Sequence, residues 1–302
     1  MPVSARTIAT RSVRIGSHVP VKGGLVKGAF PFATDIGATA IQVFVGNPRG
    51  WALSGGDPRE DEEFGALCDG ARIPVFVHTP YLVNLGSPTP TTAQRSVDAV
   101  AHNLARAQRI GARGVVVHTG SCVSDGGYDG AMKQVREALL PLLDGIPVDG
   151  PALLLEPTAG QGRSLCAGID DLPAYVDALD RHPRLGICLD TCHVFAAGAP
   201  LDRRGGMTRT LDRLAELAAP VRLHLVHAND SKDPCGSMRD RHERIGRGTI
   251  GTAAFRALLR HRTMRNVPLV LETPGGREAW AEDIALLRSF VRQQHTSGKR
   301  HP

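Results

Sequence analysis

At 302 residues, with 42% hydrophobic and 22% charged side chains, the chain has globular composition, which excludes a disordered or fibrous protein. No apolar run approaches the roughly 18 residues of a membrane-spanning helix, and the N-terminus lacks the apolar core of a secretory signal. The formal net charge of +6 belongs to the ends: residues 1–28 contribute +5 and residues 288–302 contribute +4, leaving the body at −3.

Apolar, β-rich runs recur along the chain at 12–19, 40–46, 73–80, 114–120, 152–158, 185–193, 221–230 and 267–275. Most are continuous rather than alternating, as expected of parallel strands covered on both faces. Helical periodicity marks 92–110, 132–143, 172–179, 207–217, 253–259 and 278–290. In the first of these, Val97, Val100, Ala101, Leu104, Ala105 and Ile110 share a face, and Gly111 ends it. Strand alternating with helix eight times predicts a single α/β (β/α)₈ TIM barrel, which ordinarily takes about 250 residues. The competing fold is an open doubly wound sheet, which wants G-x-G-x-x-G after its first strand; GSHVPVKGG lacks that spacing. Residues 13–290 are assigned to the barrel, 1–12 to a flexible basic N-terminal extension and 291–302 to a basic C-terminal tail. The six cysteines form no C-x-x-C pair and read as reduced thiols of a cytoplasmic protein.

The strand ends concentrate the chemistry. The third run ends in His78, the fourth in His118, the fifth in Glu156, the sixth in Asp190-Thr-Cys-His193, the seventh in His227 and the eighth in Glu272. Strand C-termini of a barrel open onto one face, so these residues converge. Asp240 and His242, in DRH, stand two apart in an extended segment and point the same way. Carboxylates gathered in a cleft repel one another and resist desolvation, so Glu156, Asp190, Asp240 and Glu272 call for cations. Imidazole with carboxylate suits zinc and its neighbours, and nine donors suit two or three ions rather than one.

These segments resemble the endonuclease IV family of apurinic/apyrimidinic endonucleases. The likeness rests on IGSHVPVKGGL, VHTPYLVNLGSP, LEPTAGQG, GICLDTCHVFAAG, HANDSK, DRHERIGRGTIG and LETP, and runs from about Ile15 to about Phe290. It implies a trinuclear zinc centre: His78, His118 and Glu156 on one ion, Glu156, Asp190, His227 and Glu272 on a second, and His193, Asp240 and His242 on a third. Glu156, Asp190 and Glu272 would be the catalytic carboxylates, and Mn²⁺ is a possible substitute metal. The implied reaction is hydrolysis of the phosphodiester 5′ to an abasic site in duplex DNA, leaving a 3′-hydroxyl and a 5′-deoxyribose phosphate, with trimming of blocked 3′ ends at the same site. Arg49 in GNPRGW, and Tyr81 with Leu82 in HTPYL, match residues that enter the minor groove and hold the flipped-out nucleotide. The protein is expected to be a cytoplasmic monomer.

The sequence departs from the family pattern at Thr119 (usually Pro), Pro157 (usually Asn) and Gly50 (usually larger and polar), which bears on loop shape and substrate range. Cys188 and Cys192, flanking Asp190, are assigned to core packing. His18 is a candidate neighbour of the site, and Asn229, Ser231 and Lys232 are candidates to position His227. The alternative is a divalent-metal sugar isomerase or epimerase, for which Glu156, Asp190, His227 and Glu272 suffice; His78, His118, His193, Asp240 and His242 then have no role. A catalytically dead damage binder would have lost a ligand, and none is lost.

Overall fold

The computed structural model describes residues 13–122 and 127–297, with side chains through Arg292. The extension expected at 1–12 and residues 298–302 lie outside them. The parallel strands are β1 (Ile15–His18), β2 (Ile41–Val43), β3 (Val75–His78), β4 (Gly114–His118), β5 (Ala152–Glu156), β6 (Leu185–Asp190), β7 (Arg222–His227) and β8 (Leu269–Leu271). Each pairs with its successor, and β8 returns to β1 in the register Ile15↔Leu269, Gly16↔Val270 and Ser17↔Leu271. That closing pair makes a barrel and excludes the open sheet.

The helices are α1 (Phe30–Asp35), α2 (Pro58–Gly70), α3 (Pro90–Ile110), α4 (Tyr128–Asp144), α5 (Leu172–Ala178), α6 (Thr191–Ala196), α7 (Gly206–Leu217), α8 (Thr252–Arg260) and α9 (Gly276–Ser297). Helix α3 begins on a proline, whose fixed φ suits a first turn, and ends at Gly111, whose φ of +69° gives a left-handed cap. Helices α1, α2 and α6 were not among the periodic stretches, and α9 continues past Phe290 to Ser297. No helix among the described residues is long and apolar enough to cross a membrane.

One apolar cluster fills the space between barrel and helices; a second lies inside the barrel and comprises Ala40, Phe76, Val116, Leu154, Cys188, Leu225 and Val270. Side chains two apart on a strand share a face. The next layer up is therefore Gln42, His78, His118, Glu156, Asp190, His227 and Glu272. His18 completes it two residues beyond Gly16, where a Cβ would overlap the Ala40 carbonyl. The barrel thus stacks a ring of eight polar side chains on an apolar floor.

Candidate metal centre

Glu156 is at the centre of the polar ring and fully buried. Its Oε2 lies 3.3 Å from Nε2 of both His78 and His118, and its Oε1 lies 2.9 Å from His227 Nδ1. His227 Nδ1 also faces Glu272 Oε2 at 3.2 Å and Asp190 Oδ2 at 3.9 Å. A second group forms around α6 and the connection after β7. His193 Nε2 is 3.2 Å from Asp240 Oδ2, His242 Nε2 is 3.0 Å from Asp240 Oδ1, and His242 Nε2 is 3.5 Å from Asp190 Oδ2. Among the described residues, three sets without cysteine have donor atoms within 4.8 Å of one another: His78, His118 and Glu156; Glu156, Asp190, His227 and Glu272; and Asp190, His193 and His242. Asp240 adjoins the last set through its contacts with both histidines.

The outer hydrogen bonds decide which imidazole nitrogen faces inward. Backbone carbonyls accept from Nδ1 of His78 (Thr79, 2.7 Å), His193 (Pro157, 3.1 Å) and His242 (Glu272, 3.3 Å). A neutral ring then turns the Nε2 lone pair to the centre. His227 is reversed. Gln42 Nε2 donates to Glu272 Oε1 at 2.8 Å, so Gln42 Oε1 is the atom that accepts from His227 Nε2, also at 2.8 Å. The inward atom of His227 is therefore Nδ1, with carboxylate oxygens of Glu156, Glu272 and Asp190 around it. Lone pairs facing carboxylates repel unless positive charge lies between them. His242 Nε2 is buried, and although it is near Asp240 it is off the line of a hydrogen bond. This donor set fits divalent metal ions of the zinc type.

The ionisation balance says the same. Burial pushes the Glu156 carboxyl up, but His227 and His118 outweigh it and hold it well below the usual carboxylate range. Glu272 and Asp240 are likewise held low against burial, Glu272 mainly by His227 and Asp240 by His193 and His242. Burial opposes charge on His193, yet Asp190 and Asp240 raise it well above an ordinary histidine; the same two residues raise His242 to about 9. His227 is also raised well above the ordinary value against burial. Burial pushes the neighbouring Cys188 thiol up to about 12, so the positive charge on His227 answers to Glu272 and Glu156. Positive charge is drawn to these nitrogens, and a divalent cation supplies it with the imidazoles neutral.

The centre opens into a cavity of about 350 Å³ whose mouth carries Tyr81, Asp240 and Pro274. Tyr81 is 53% exposed and packs edge-on to Phe44 at 5.3 Å between centroids; Leu82 beside it is 38% exposed. Arg49 is exposed on the connection after β2, and the Tyr81 amide donates to the Pro48 carbonyl at 3.0 Å, which ties the two rim segments together. The same connection is gripped from behind. Buried Asp61 of α2 pairs with Arg106 and Arg109 of α3 at 2.5 and 2.9 Å. Arg106 also donates to the Val45 carbonyl and Arg109 to the Gly55 carbonyl, so both ends of the Arg49 segment are held.

The xylose isomerase-like TIM barrel family matches residues 30–290. A probable endonuclease 4 of Streptomyces avermitilis is 54% identical over 277 residues, 91% of this chain and 89% of the relative. The chain belongs to the endonuclease 4 family. The crystal structure of endonuclease IV from Thermus thermophilus superposes with a TM-score of 0.78 at 32% identity, over 93% of this chain and 99% of that one. A 3-keto-D-glucoside 4-epimerase from E. coli superposes with a TM-score of 0.67 at 18% identity, over 92% and 100%, a likeness of fold alone.

Against the expectations from sequence, this endonuclease 4 family member differs in four respects. His193 is not on a strand: β6 stops at Asp190, whose Oδ1 accepts from the amides of Cys192 (2.6 Å) and His193 (3.0 Å) and so starts α6. The Asn229 side chain bonds not to His227 but to two carboxylate residues: its Nδ2 donates to Asp190 Oδ2 at 2.7 Å and its Oδ1 accepts from the Glu272 amide at 2.8 Å. Cys188 and Cys192 are buried as expected, yet each adjoins the centre, Cys188 with Glu156 and His227 and Cys192 with Asp240 and His242. Gln42, the single polar residue in an otherwise apolar run, belongs to the site as well, bonding both His227 and Glu272. His18 does border the site: its Nδ1 lies 3.3 Å from Glu272 Oε1 and 2.9 Å from Gln42 Nε2.

Proposed function

We propose that the chain is a DNA-repair phosphodiesterase that cuts 5′ to an abasic site in duplex DNA, leaving a 3′-hydroxyl and a 5′-deoxyribose phosphate, and that also clears blocked 3′ ends. Membership of the endonuclease 4 family supports the substrate. Nine inward-facing donors carry the chemistry: six at the ends of β3 to β8 and three on α6 and the connection after β7. Three zinc ions fit the donors, with Mn²⁺ as a substitute: His78, His118 and Glu156 for one, Glu156, Asp190, His227 and Glu272 for the second, His193, Asp240 and His242 for the third. When bound, such ions supply the Lewis acidity for attack of water on phosphorus and for departure of the 3′-oxygen.

The chain's own residues have three tasks. Glu156, Asp190 and Glu272 hold negative charge inside the barrel and fix the spacing of what they bind; Gln42 and Asn229 hold two of these carboxylates in place. The carbonyls of Thr79, Pro157 and Glu272 fix the tautomers of His78, His193 and His242. Tyr81 and Leu82 enter the gap left by the missing base, and Arg49 holds the extruded nucleotide. Extrusion is favoured at an abasic site because no base pair has to break.

The epimerase reading uses Glu156, Asp190, His227 and Glu272 and leaves the donors from His78, His118, His193, Asp240 and His242 without purpose. The two readings part on a duplex with one tetrahydrofuran abasic analogue, which cannot undergo β-elimination. Incision that is lost with chelator and restored by zinc is the expected outcome; no incision by folded, zinc-loaded protein refutes the nuclease reading.

A further inference from the structure

Asp240 and His242 come from the long connection between β7 and α8 rather than from the barrel wall. That connection folds around Asp230, which is fully buried. Asp230 Oδ1 accepts from the amides of Ser231 (2.8 Å) and Ile250 (2.9 Å), and its Oδ2 from those of Gly246 (2.9 Å) and Gly251 (3.3 Å). One carboxylate thus gathers both ends of the segment 246–251 against the end of β7. Four N–H donors on two adjacent oxygens is a pattern that an ionised carboxylate meets in full and a carboxamide does not.

The surrounding sequence is built to this arrangement. At Gly248 a Cβ would overlap both Asp230 Oδ1 and the Ser231 carbonyl; Gly246 and Gly251 each have a φ of +77°. Thr249 closes the loop, its amide donating to the Ser231 carbonyl at 2.8 Å and its hydroxyl to the Asp233 carbonyl at 2.5 Å. The segment then reaches the metal centre by a two-residue antiparallel ladder, Asp230 opposite Glu243 and Ser231 opposite His242. The Lys232 amide donates to the Arg241 carbonyl at 3.0 Å, extending the ladder toward Asp240. His242 therefore stands directly across from the neighbour of Asp230.

We propose that Asp230 is the positioning residue of the loop-borne ion site: it fixes Asp240 and His242 against His193, and so sets the occupancy of that ion independently of the ions held by strand-borne ligands. The inference rests on the three-zinc reading above.

Asp230→Asn tests it. The variant keeps the side-chain shape but replaces one acceptor oxygen with an NH₂ donor, so in either orientation two of the four amides lose their acceptor. Hydrogen exchange on the metal-free protein and zinc content after dialysis against a weak chelator are read together. Losing either pair lets the segment 246–251 open as a unit, so the amides of Gly246, Ile250 and Gly251 should all exchange about tenfold faster or more, the barrel strands should not change, and zinc should fall by about one ion per chain. Gly248→Ala, which intrudes on the same carboxylate from the backbone side, should reproduce both effects. Unchanged exchange in the segment overturns the proposal. So does faster exchange with undiminished zinc, and so does general unfolding of Asp230→Asn, because the effect is confined to one loop. If the parent protein itself holds fewer than three zinc ions, the trinuclear reading fails, while the exchange measurement still decides what Asp230 does to the loop.

Discussion

Replacing Gln42 with methionine, of similar volume, removes the amide that bridges two proposed ligands. His227 Nε2 loses its acceptor at 2.8 Å in a buried position, and Glu272 Oε1 loses its donor at 2.8 Å in a partly buried one. A buried donor left without a partner costs about 1–3 kcal/mol. Losing the outer partner of a metal-bound histidine typically costs about 10–100-fold in metal affinity, or about 1.4–2.7 kcal/mol. Competition with a chromophoric chelator should show one class of zinc weakened by that factor and the others unchanged. Long-range ¹H–¹⁵N correlation of the imidazoles adds an independent readout: the parent should hold His227 as the Nε2–H tautomer, and Gln42→Met should not hold it uniquely. Zinc affinity within about twofold of the parent, under about 0.4 kcal/mol, would refute the reasoning that Gln42 sets the ligating nitrogen.

Tyr81→Ala should weaken binding to a tetrahydrofuran duplex by about 1–3 kcal/mol, the worth of one aromatic stacking contact with nucleic acid, and leave zinc content unchanged; a fluorescence anisotropy titration measures both forms. Arg109→Met frees the Gly55 end of the Arg49 segment and should raise KM roughly fivefold, equivalent to about 1 kcal/mol, with kcat unchanged and recovery in Arg109→Lys; a fall in kcat alone would speak against a presenting role. Zinc added to metal-free protein at neutral pH should release protons from His193, His227 and His242, measurable with an indicator dye. Because these pKa values are raised, their charge stabilises the metal-free fold fully below the ordinary histidine value of about 6.5. That stabilisation is lost as pH rises through about 9 for His242, so the metal-free Tm should fall across that window.

The barrel was legible because its strands are continuous apolar runs, and the proposed ligands because histidines and carboxylates end those runs. What the sequence concealed has specific causes. Helix α2 buries Asp61, Phe64 and Cys68, so a carboxylate occupies the first position of its inward stripe; only the pairing with Arg106 and Arg109, far along the chain, makes Asp61 a core residue. Helix α1 is only a turn and a half and carries a proline at its start, too short for periodicity to declare itself. The sequence alone does not mark the end of β6, because Asp190 caps α6 with the same side chain that faces the centre. Gln42 becomes visible only when the strands are aligned in register, since its significance is its height in the barrel rather than its neighbours in sequence. The choice of Asp190 and Glu272 over His227 as partners of Asn229 depends on the turn after β7, which spacing alone does not fix.

Incision in H₂¹⁸O tests the central claim most directly. A duplex with one tetrahydrofuran residue is cut by the zinc-loaded protein, and both fragments are weighed by mass spectrometry. Hydrolysis at phosphorus 5′ to the lesion predicts one ¹⁸O in the 5′-phosphate of the tetrahydrofuran fragment and none in the fragment ending in a 3′-hydroxyl. Label on the 3′-hydroxyl, a 3′-phosphate product, or an intact duplex would contradict it.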